Sequence, residues 1–449
     1  NDGNDDVFFG GAAGQPGQLF LGNDDGTFRS ADSNPWELDK ASEDMGSILF
    51  DADNDHDLDL YVVSGGNEFA AGDPLYQDRM YINKGTGLFS KEQDALPDVT
   101  SSGSGVAAAD YDQDGDLDMF IGGRHVPYSY GIIPRSYILR NDTRNGKIKF
   151  TDVTVEVNKD LLNPGMVTDA IWTDYNNDSW ADLILVGEWM PVRVFENQKG
   201  KLVEKELAGL QKSNGWWCSI FPVDIDDDGD LDYVVGNAGT NLQFRASADE
   251  PVQMHVGDFD QDGTLDPILC YYVQGKSYPM ASRDELLDQI TSLRKKFIRY
   301  ADYADATIHD IADAEQLAKS YLFNAYVLES GWLENLDGED FRLHYLPSLA
   351  QLSGANGFLY DDFDADGARE LLVAGNFFPY KPQLGRSDAS TGLILRMDST
   401  GSAFSAEVLA EAWLTGDIRD VDILNFTSGV RRVLVSRNNG KAGVYAFGD

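Results

Sequence analysis

Six copies of one acidic nonapeptide constrain this chain more than any other feature. The fullest copy runs from Asp224 to Asp232 (DIDDDGDLD), with carboxylates at positions 1, 3, 5 and 9 and Gly229 at position 6. In that spacing alternate side chains turn inward around a hard cation, and glycine permits the sharp turn, as in a calcium-binding loop. A helix-loop-helix site would put a helix on each side and its last acidic ligand further along. Here Pro222 and Val223 lead in and Tyr233-Val234-Val235-Gly236 follow, so the sequence predicts strands on both sides.

The candidate ligands of the six loops follow directly. They are Asp51, Asp53, Asp55 and Asp59; Asp110, Asp112, Asp114 and Asp118; Asp174, Asn176, Asp178 and Asp182; Asp224, Asp226, Asp228 and Asp232; Asp258, Asp260, Asp262 and Asp266; and Asp362, Asp364, Asp366 and Glu370. The chain also opens on NDGNDDVFFGG, the back half of the same motif, and Arg419 to Asn425 looks like a copy that lost its loop. A lone Asp-rich turn reads equally well as a solvated loop; six recurrences, each leading into a short apolar strand, do not.

Each unit has one pattern. An apolar strand enters the loop, a second leaves it and ends in Gly-Gly or Gly-Asn, and one or two more follow with Gly/Asn turns, as in MYINKGTGLFS and VRVFENQKGKLVEKE. Repeats of this length with about four antiparallel strands point to propeller blades rather than a solenoid. The expectation is one all-β propeller over residues 1–449, of seven blades with eight as the alternative, its ring closed by strands from both termini. The short interval from Asp224 to Asp258 and the incomplete ends blur the count.

The long interval from Asp258 to Asp362 holds a predicted helical insertion, residues 281–320. Ser282 and Glu285 form a capping-box signature, and Leu286, Ile290, Leu293 and Phe297 follow at helical spacing. Helix is predicted from Ser282 to about Lys319, with a second piece near Ile308 to Tyr321. It reads as a lid packed on one face of the propeller. Arg294, Lys295, Lys296 and Arg299 make a basic face on an otherwise acidic chain, the alternative reading being an anion- or partner-contacting surface.

The 449 residues carry a formal net charge of −41, so a nucleic-acid partner is excluded by phosphate repulsion. One calcium per loop would lower that negative charge by roughly 12. No apolar run is long enough to span a membrane. The chain begins inside a motif, which suggests a longer parent with other domains. Cys218 and Cys270 are read as two buried thiols, a single disulfide being the alternative.

The DxDxDGxxD loops, each followed by a strand ending in Gly-Gly or Gly-Asn, resemble the FG-GAP/VCBS repeats of integrin α-chain propellers. Closer still is the likeness to bacterial, especially Bacteroidetes-type, proteins similar to cartilage acidic protein, through DLDYVVGNAGTN, ASRDELLDQI and ADYADATIHDI in the same order. The resemblance covers essentially the whole chain. It implies a calcium-loaded propeller, exported and often surface-attached, and supplies no catalytic residue. Four departures bear on individual loops: His56 and Ser179 stand where glycine is expected, Asn176 is a neutral ligand, and Glu370 reaches one methylene further than Asp.

Empty, such loops concentrate mutually repelling carboxylates; a cation screens them and ties the flanking strands together. At ligand levels ~10 times Kd each site adds about 1.4 kcal/mol, hence roughly 8 kcal/mol for six. The metal is therefore expected to be structural. Loops of this type in extracellular modules need calcium at about 10⁻⁴ to 10⁻³ M, which favours an extracellular, surface or periplasmic setting.

Two functions compete. The preferred one is a non-enzymatic binding or adhesion module for a protein or glycan, using aromatics such as Trp189, Trp216, Trp217 and Tyr128 to Tyr130, although blade packing accounts for any one of them as well. The alternative is a calcium-dependent polysaccharide lyase or other glycan-active enzyme. None of the five histidines (His56, His125, His255, His309, His344) lies in a recognisable catalytic motif. A pocket holding His or Tyr beside a basic residue would separate the two.

Overall fold

The computed structural model describes residues 2–446 except 86, 380, 382–384, 399–400, 402 and 410–413. The strands form eight antiparallel sheets among these residues. Seven follow one another along the chain, beginning with the three strands Val7–Phe9, Gln18–Gly22 and Phe28–Ser30. Next come sheets that start at Glu43–Phe50, Gly103–Ala109, Met166–Thr173, Ser219–Val223 and Ala355–Asp361, four-stranded except the third of them, which takes in Gly215–Trp216 as a fifth strand. The last is again three-stranded, Ile418–Asn425, Arg431–Arg437 and Gly443–Tyr445.

Why these segments form strands is plain from their burial. The second strands Asp59–Gly65, Asp118–Gly123, Asp232–Gly236 and Glu370–Gly375 are buried at every residue. Covered on both faces by neighbouring sheets, they read as continuous apolar runs instead of alternating ones. Their terminal glycines are required by close approach. A side chain at Gly236 would collide with the Ala355 carbonyl of the next sheet.

Each sheet packs on the next through its own apolar cluster, and the circuit closes. Leu19 and Trp36 meet Leu60 and Tyr81; Val63 and Met80 meet Ile121 and Tyr137; Phe120 and Ile138 meet Leu183 and Phe195. Ile184 and Val194 meet Tyr233 and Leu333, Val234 and Trp332 meet Phe358 and Leu371, and Leu372 and Ile394 meet Val421 and Val433. Finally Val7 packs on Leu424 and Phe426, whose ring lies 5.8 Å from that of Phe28. The fold is a β-propeller.

The ring closes between the strands of the two termini, as the sequence leads one to expect, but not within one sheet. Strands from the two termini do not share a sheet; the first and last sheets stay separate and meet face to face, with the Asp5 amide donating to the Asn425 carbonyl at 3.1 Å. Arg419 to Asn425 is a full first strand, and Phe426 to Val430 replaces the acidic loop by a tight turn in which the Gly429 amide donates to the Phe426 carbonyl.

The Asp258 copy is not part of a ring sheet. After Asp232–Gly236 the chain leaves the fifth sheet and returns only at Gly331–Leu336. Between them lies a separate sheet of Lys276–Pro279, Asp266–Val273, Val252–Gly257 and Tyr321–Ala325, in that spatial order. Its strand Asp266–Val273 alternates in burial, as a sheet with one uncovered face should. This extra sheet causes the irregular motif spacing.

The predicted helix of Ser282 to Lys319 is broken into Arg283–Gln289, Tyr300–Tyr303, Ile308–Ile311 and Ala314–Lys319, with a 3-10 turn at Thr291–Lys295. Fresh capping residues explain the breaks, since Thr307 and Asp313 start new turns with Asp310 and Gln316 as reciprocal partners. The Ser282–Glu285 capping box forms as read. Leu286, Ile290, Leu293 and Phe297 pack on Phe259, Ile268 and Cys270, so the helices lie on the inserted sheet. The basic face is paired internally: Arg294 with Asp288 at 3.1 Å, Arg299 with Asp302 at 2.8 Å, Lys296 with Asp310 at 3.8 Å. No described helix is long and apolar enough to cross a membrane.

Candidate metal centres and a pocket beyond them

The six loops share one backbone form. Position 4 is left-handed in all of them (Asn54, Gln113, Asn177, Asp227, Gln261, Ala365), and so is position 6, including His56 at φ 72° and Ser179 at φ 72°. The amide of position 7 donates to the position 5 carboxylate throughout, for example Trp180 to Asp178 at 2.9 Å and Asp230 to Asp228 at 3.1 Å. In five loops the amides of positions 5 and 6 also cap the position 1 carboxylate, as Asp114 and Gly115 do on Asp110 at 3.1 Å each. Losing glycine at 56 and 179 therefore leaves the turn intact, at the cost of a strained non-glycine residue.

Five loops gather three or four carboxylates with ligand oxygens mutually within 4.8 Å. The groups are Asp51, Asp53 and Asp55; Asp110, Asp112 and Asp118; Asp224, Asp226 and Asp232; Asp258, Asp260 and Asp262; and Asp362, Asp364, Asp366 and Glu370. Asp59, Asp114, Asp228 and Asp266 belong to their loops but stand outside the tightest groups. The loop of Asp174, Asn176, Asp178 and Asp182 makes no such group among the described residues, because its third position is an amide.

Buried oxygens test whether these sites fit a cation. Carboxylate oxygens of Asp53, Asp112, Asp116, Asp118, Asp182, Asp224, Asp226, Asp230 and Asp260 are buried without a hydrogen-bond partner. Leaving such an atom unmade costs about 1–3 kcal/mol, more for a charged group, unless something else satisfies it. A hard cation taking six to eight oxygen ligands fits that donor set. Asp116 and Asp230, at position 7, are acidic groups missed by reading only positions 1, 3, 5 and 9; the DGD pattern carried that signal.

Metal-free, burial drives these groups upward. It pushes the Asp118 carboxyl up to about 8 and those of Asp59, Asp182 and Asp232 to about 7, against an ordinary 3.8. Asp116 rises to about 7 and Asp230 to about 6 through burial together with Asp114 and Asp228 beside them.

An asparagine ending the third strand was also missed. The backbone amides of Asn83, Asn141, Asn197 and Asn335 donate to the position 9 carboxylates Asp59, Asp118, Asp182 and Asp232 at 2.6–2.8 Å. The side-chain amides of the last three reach the preceding sheet's loop, Asn141 to Ala52 at 3.0 Å, Asn197 to Tyr111 at 2.7 Å and Asn335 to Tyr175 at 2.8 Å. Each latch thus ties one loop to the next. The recurring Asn of MYIN, ILRN, VFEN and WLEN was its signal.

At the opposite strand ends, where second strands finish, lies a cavity of about 350 Å³. Its walls come from the ring (Tyr130, Glu188, Trp189, Trp216, Cys218, Phe377) and from the inserted sheet and its first helix (Met254, Leu269, Met280, Gln289). Trp189 and Trp216 meet edge to face at 5.1 Å, and the Trp189 backbone is held at φ 63°, strained for a tryptophan. Trp189 Nε1 donates to the Tyr130 hydroxyl at 2.9 Å, which donates to Glu188 Oε2 at 2.5 Å; Arg124 Nη2 holds Glu188 Oε1 at 2.6 Å. Trp216 Nε1 is buried without a partner. Of the aromatics picked out by sequence, Trp189, Trp216 and Tyr130 line this cavity, Tyr128 is exposed, and Trp217 is wholly buried in the blade core. Cys218 and Cys270 are unpaired thiols, Cys270 buried and Cys218 partly so.

No curated protein matches the chain. Among solved structures, it is similar at 12% identity to an Agrocybe aegerita lectin described as recognising non-reducing terminal N-acetylglucosamine, covering 99% of this chain and 90% of that one with a TM-score of 0.48. It is also similar to Chaetomium thermophilum Sqt1 bound to the N-terminus of ribosomal protein L10 (12% identity, 98% and 93% covered, TM-score 0.44). The V. cholerae biofilm matrix protein Bap1 aligns at 10% identity over 99% and 87%, with a TM-score of 0.37. Residues 65–121 and 174–235, which contain the loops at Asp110, Asp174 and Asp224, match the FG-GAP-like repeat, so the chain is a propeller carrying FG-GAP-like repeats.

Proposed function

We propose that this is a calcium-stabilised, seven-bladed propeller, its eighth sheet an insertion in the fifth blade, that binds a carbohydrate ligand in the aromatic cavity opposite the loops. The observation that carries this reading is the cavity's composition: two edge-packed tryptophans and Phe377 offer ring faces, and Glu188, held in place by Arg124, offers a fixed polar group. Ring faces stack on the C–H faces of sugars, and a carboxylate held by a guanidinium accepts hydrogen bonds from hydroxyls. Calcium would be held by the carboxylates grouped in the loops, screening their mutual repulsion; its role is to brace strands. The millimolar affinity usual for such loops in extracellular modules supports export to the cell surface or periplasm.

The cavity does put Tyr130 near Arg124, as a lyase would need, but the phenol is tuned the wrong way for a base. Burial and Glu188 both raise its pKa, and burial pushes the Cys218 thiol up to about 11. Binding without turnover is the better reading. A glycan array with the calcium-loaded protein tests it, followed by titration of each hit against Trp216→Ala. Loss of about 2 kcal/mol of affinity, roughly 30-fold, is expected for a buried aromatic anchor. An array without hits, or hits that Trp216→Ala leaves untouched while a peptide library binds, would transfer the site to a protein partner.

A further inference from the structure

One of the six loops already contains a cation. Arg396, on the third strand Leu393–Met397 of the sixth ring sheet, reaches into the Asp362 loop. Its Nη2 lies 2.7 Å from Asp364 Oδ2, its Nη1 bonds Glu370 Oε1, and Asp366 Oδ2 is 3.8 Å away. The buried carboxylate at position 9 agrees: Glu370 Oε1 takes Arg396 and its Oε2 takes the Phe363 amide, whereas Asp118 and Asp182 each keep one buried oxygen without a partner.

The sequence around it changes in concert. Arg140 holds the equivalent place in the third sheet, one residue past the partner of Met119 as Arg396 is one past the partner of Leu371. Yet Arg140 turns to Asp142, at 3.0 and 3.3 Å. Two differences separate the blades. Glu370 is one methylene longer than Asp118 and meets the guanidinium, and Met397 stands where Asn141 latches its loop to the preceding sheet. A planar guanidinium forks between carboxylates with fixed geometry and needs no dehydration of a divalent ion.

We propose that the Asp362 loop is closed by Arg396 in place of a divalent cation, so that the chain has one calcium site fewer than its motif count. This rests on the reading of the remaining loops as calcium sites. The test counts calcium per chain, by elemental analysis after equilibrium dialysis, in the full chain and three variants. Asp362→Asn/Asp364→Asn is expected to leave the count unchanged, and Arg396→Gln to raise it by one ion and make its melting more sensitive to chelator. Loss of an ion in the first variant, or no gain in the second, overturns the proposal; should Arg396→Gln fail to fold, the first variant decides. Failure of the calcium reading itself shows separately, as no loss of an ion in Asp224→Asn/Asp226→Asn.

Discussion

The two ends of this propeller are built on opposite principles. At one end a single acidic loop is repeated ring sheet by ring sheet, with the same left-handed residues, the same amide caps and, in three blades, the same asparagine latch to its neighbour. At the other, a cavity is assembled once, from Tyr130, the paired Glu188 and Trp216, and Phe377, contributed by three different sheets, and from an insertion that no other described blade carries. Repetition serves the scaffold, where each blade must solve the same problem. The recognition proposed for the cavity needs asymmetry, and the asymmetric end is where the chain departs from its repeat.

The strongest way to break this contrast is to remove the metal. If the five loops other than that of Asp362 each hold a cation at ~10 times Kd, as proposed, they add about 7 kcal/mol, and chelator is expected to lower the melting temperature by on the order of 10 °C or more. Calorimetry with and without EDTA measures it. An unchanged melting temperature would mean that the loops do not brace the ring.

Next in size is the pH response of the metal-free protein. Folding raises Asp118 from 3.8 to about 8, and Asp59, Asp182 and Asp232 to about 7. The native state then holds more protons than the unfolded chain between those values, so these groups' contribution to stability falls as pH rises from about 4 to about 8. The metal-free protein is expected to melt several degrees lower at pH 8 than at pH 5.5, and calcium, which binds the ionised carboxylates, to shrink or reverse the difference. Metal-free melting that improves with pH would contradict the burial assigned to these carboxyls.

The contrast also explains what could be read in advance. A motif repeated six times averages out its own irregularities, so the loops, their flanking strands and the propeller were legible even with His56 and Ser179 in place of glycine. The cavity was not, because Tyr130 and Met280 gain meaning only once the ring and the insertion bring them together. Trp217 and Trp216 are adjacent in sequence and face opposite ways, one into the blade core and one into the cavity, which composition cannot tell apart. The displaced Asp258 copy left one trace. Its second strand, DPILCYYV, lacks the terminal glycine that close packing imposes on the buried ring strands.

A smaller effect sharpens the scaffold side. Asn335 joins Asp232 of its own sheet to the Tyr175 carbonyl of the preceding one, all within buried surroundings. Asn335→Ala leaves that carbonyl without its donor, an expected loss of about 1–3 kcal/mol by chemical denaturation. Asn83, whose side chain donates to Leu58 of its own loop at 3.2 Å, is the control. If Asn83→Ala cost as much as Asn335→Ala, the latch between blades would have no energetic meaning.

The smallest expected effect falls where the two ends meet. The Asp258 loop sits on the inserted sheet, and Gln289 Nε2 donates to Asp266 Oδ1 at 3.1 Å while Gln289 and Pro267 line the cavity. A cation there would fix the roof of the ligand site without bracing the ring. Asp260→Asn should therefore leave the melting temperature of the calcium-loaded protein nearly unchanged yet weaken ligand binding about threefold, near 0.6 kcal/mol. Asp226→Asn, in the fifth blade's own loop, should do the reverse. Equal behaviour of the two variants, in titration and in melting, would show that the insertion's loop is one more brace and that the two ends do not communicate.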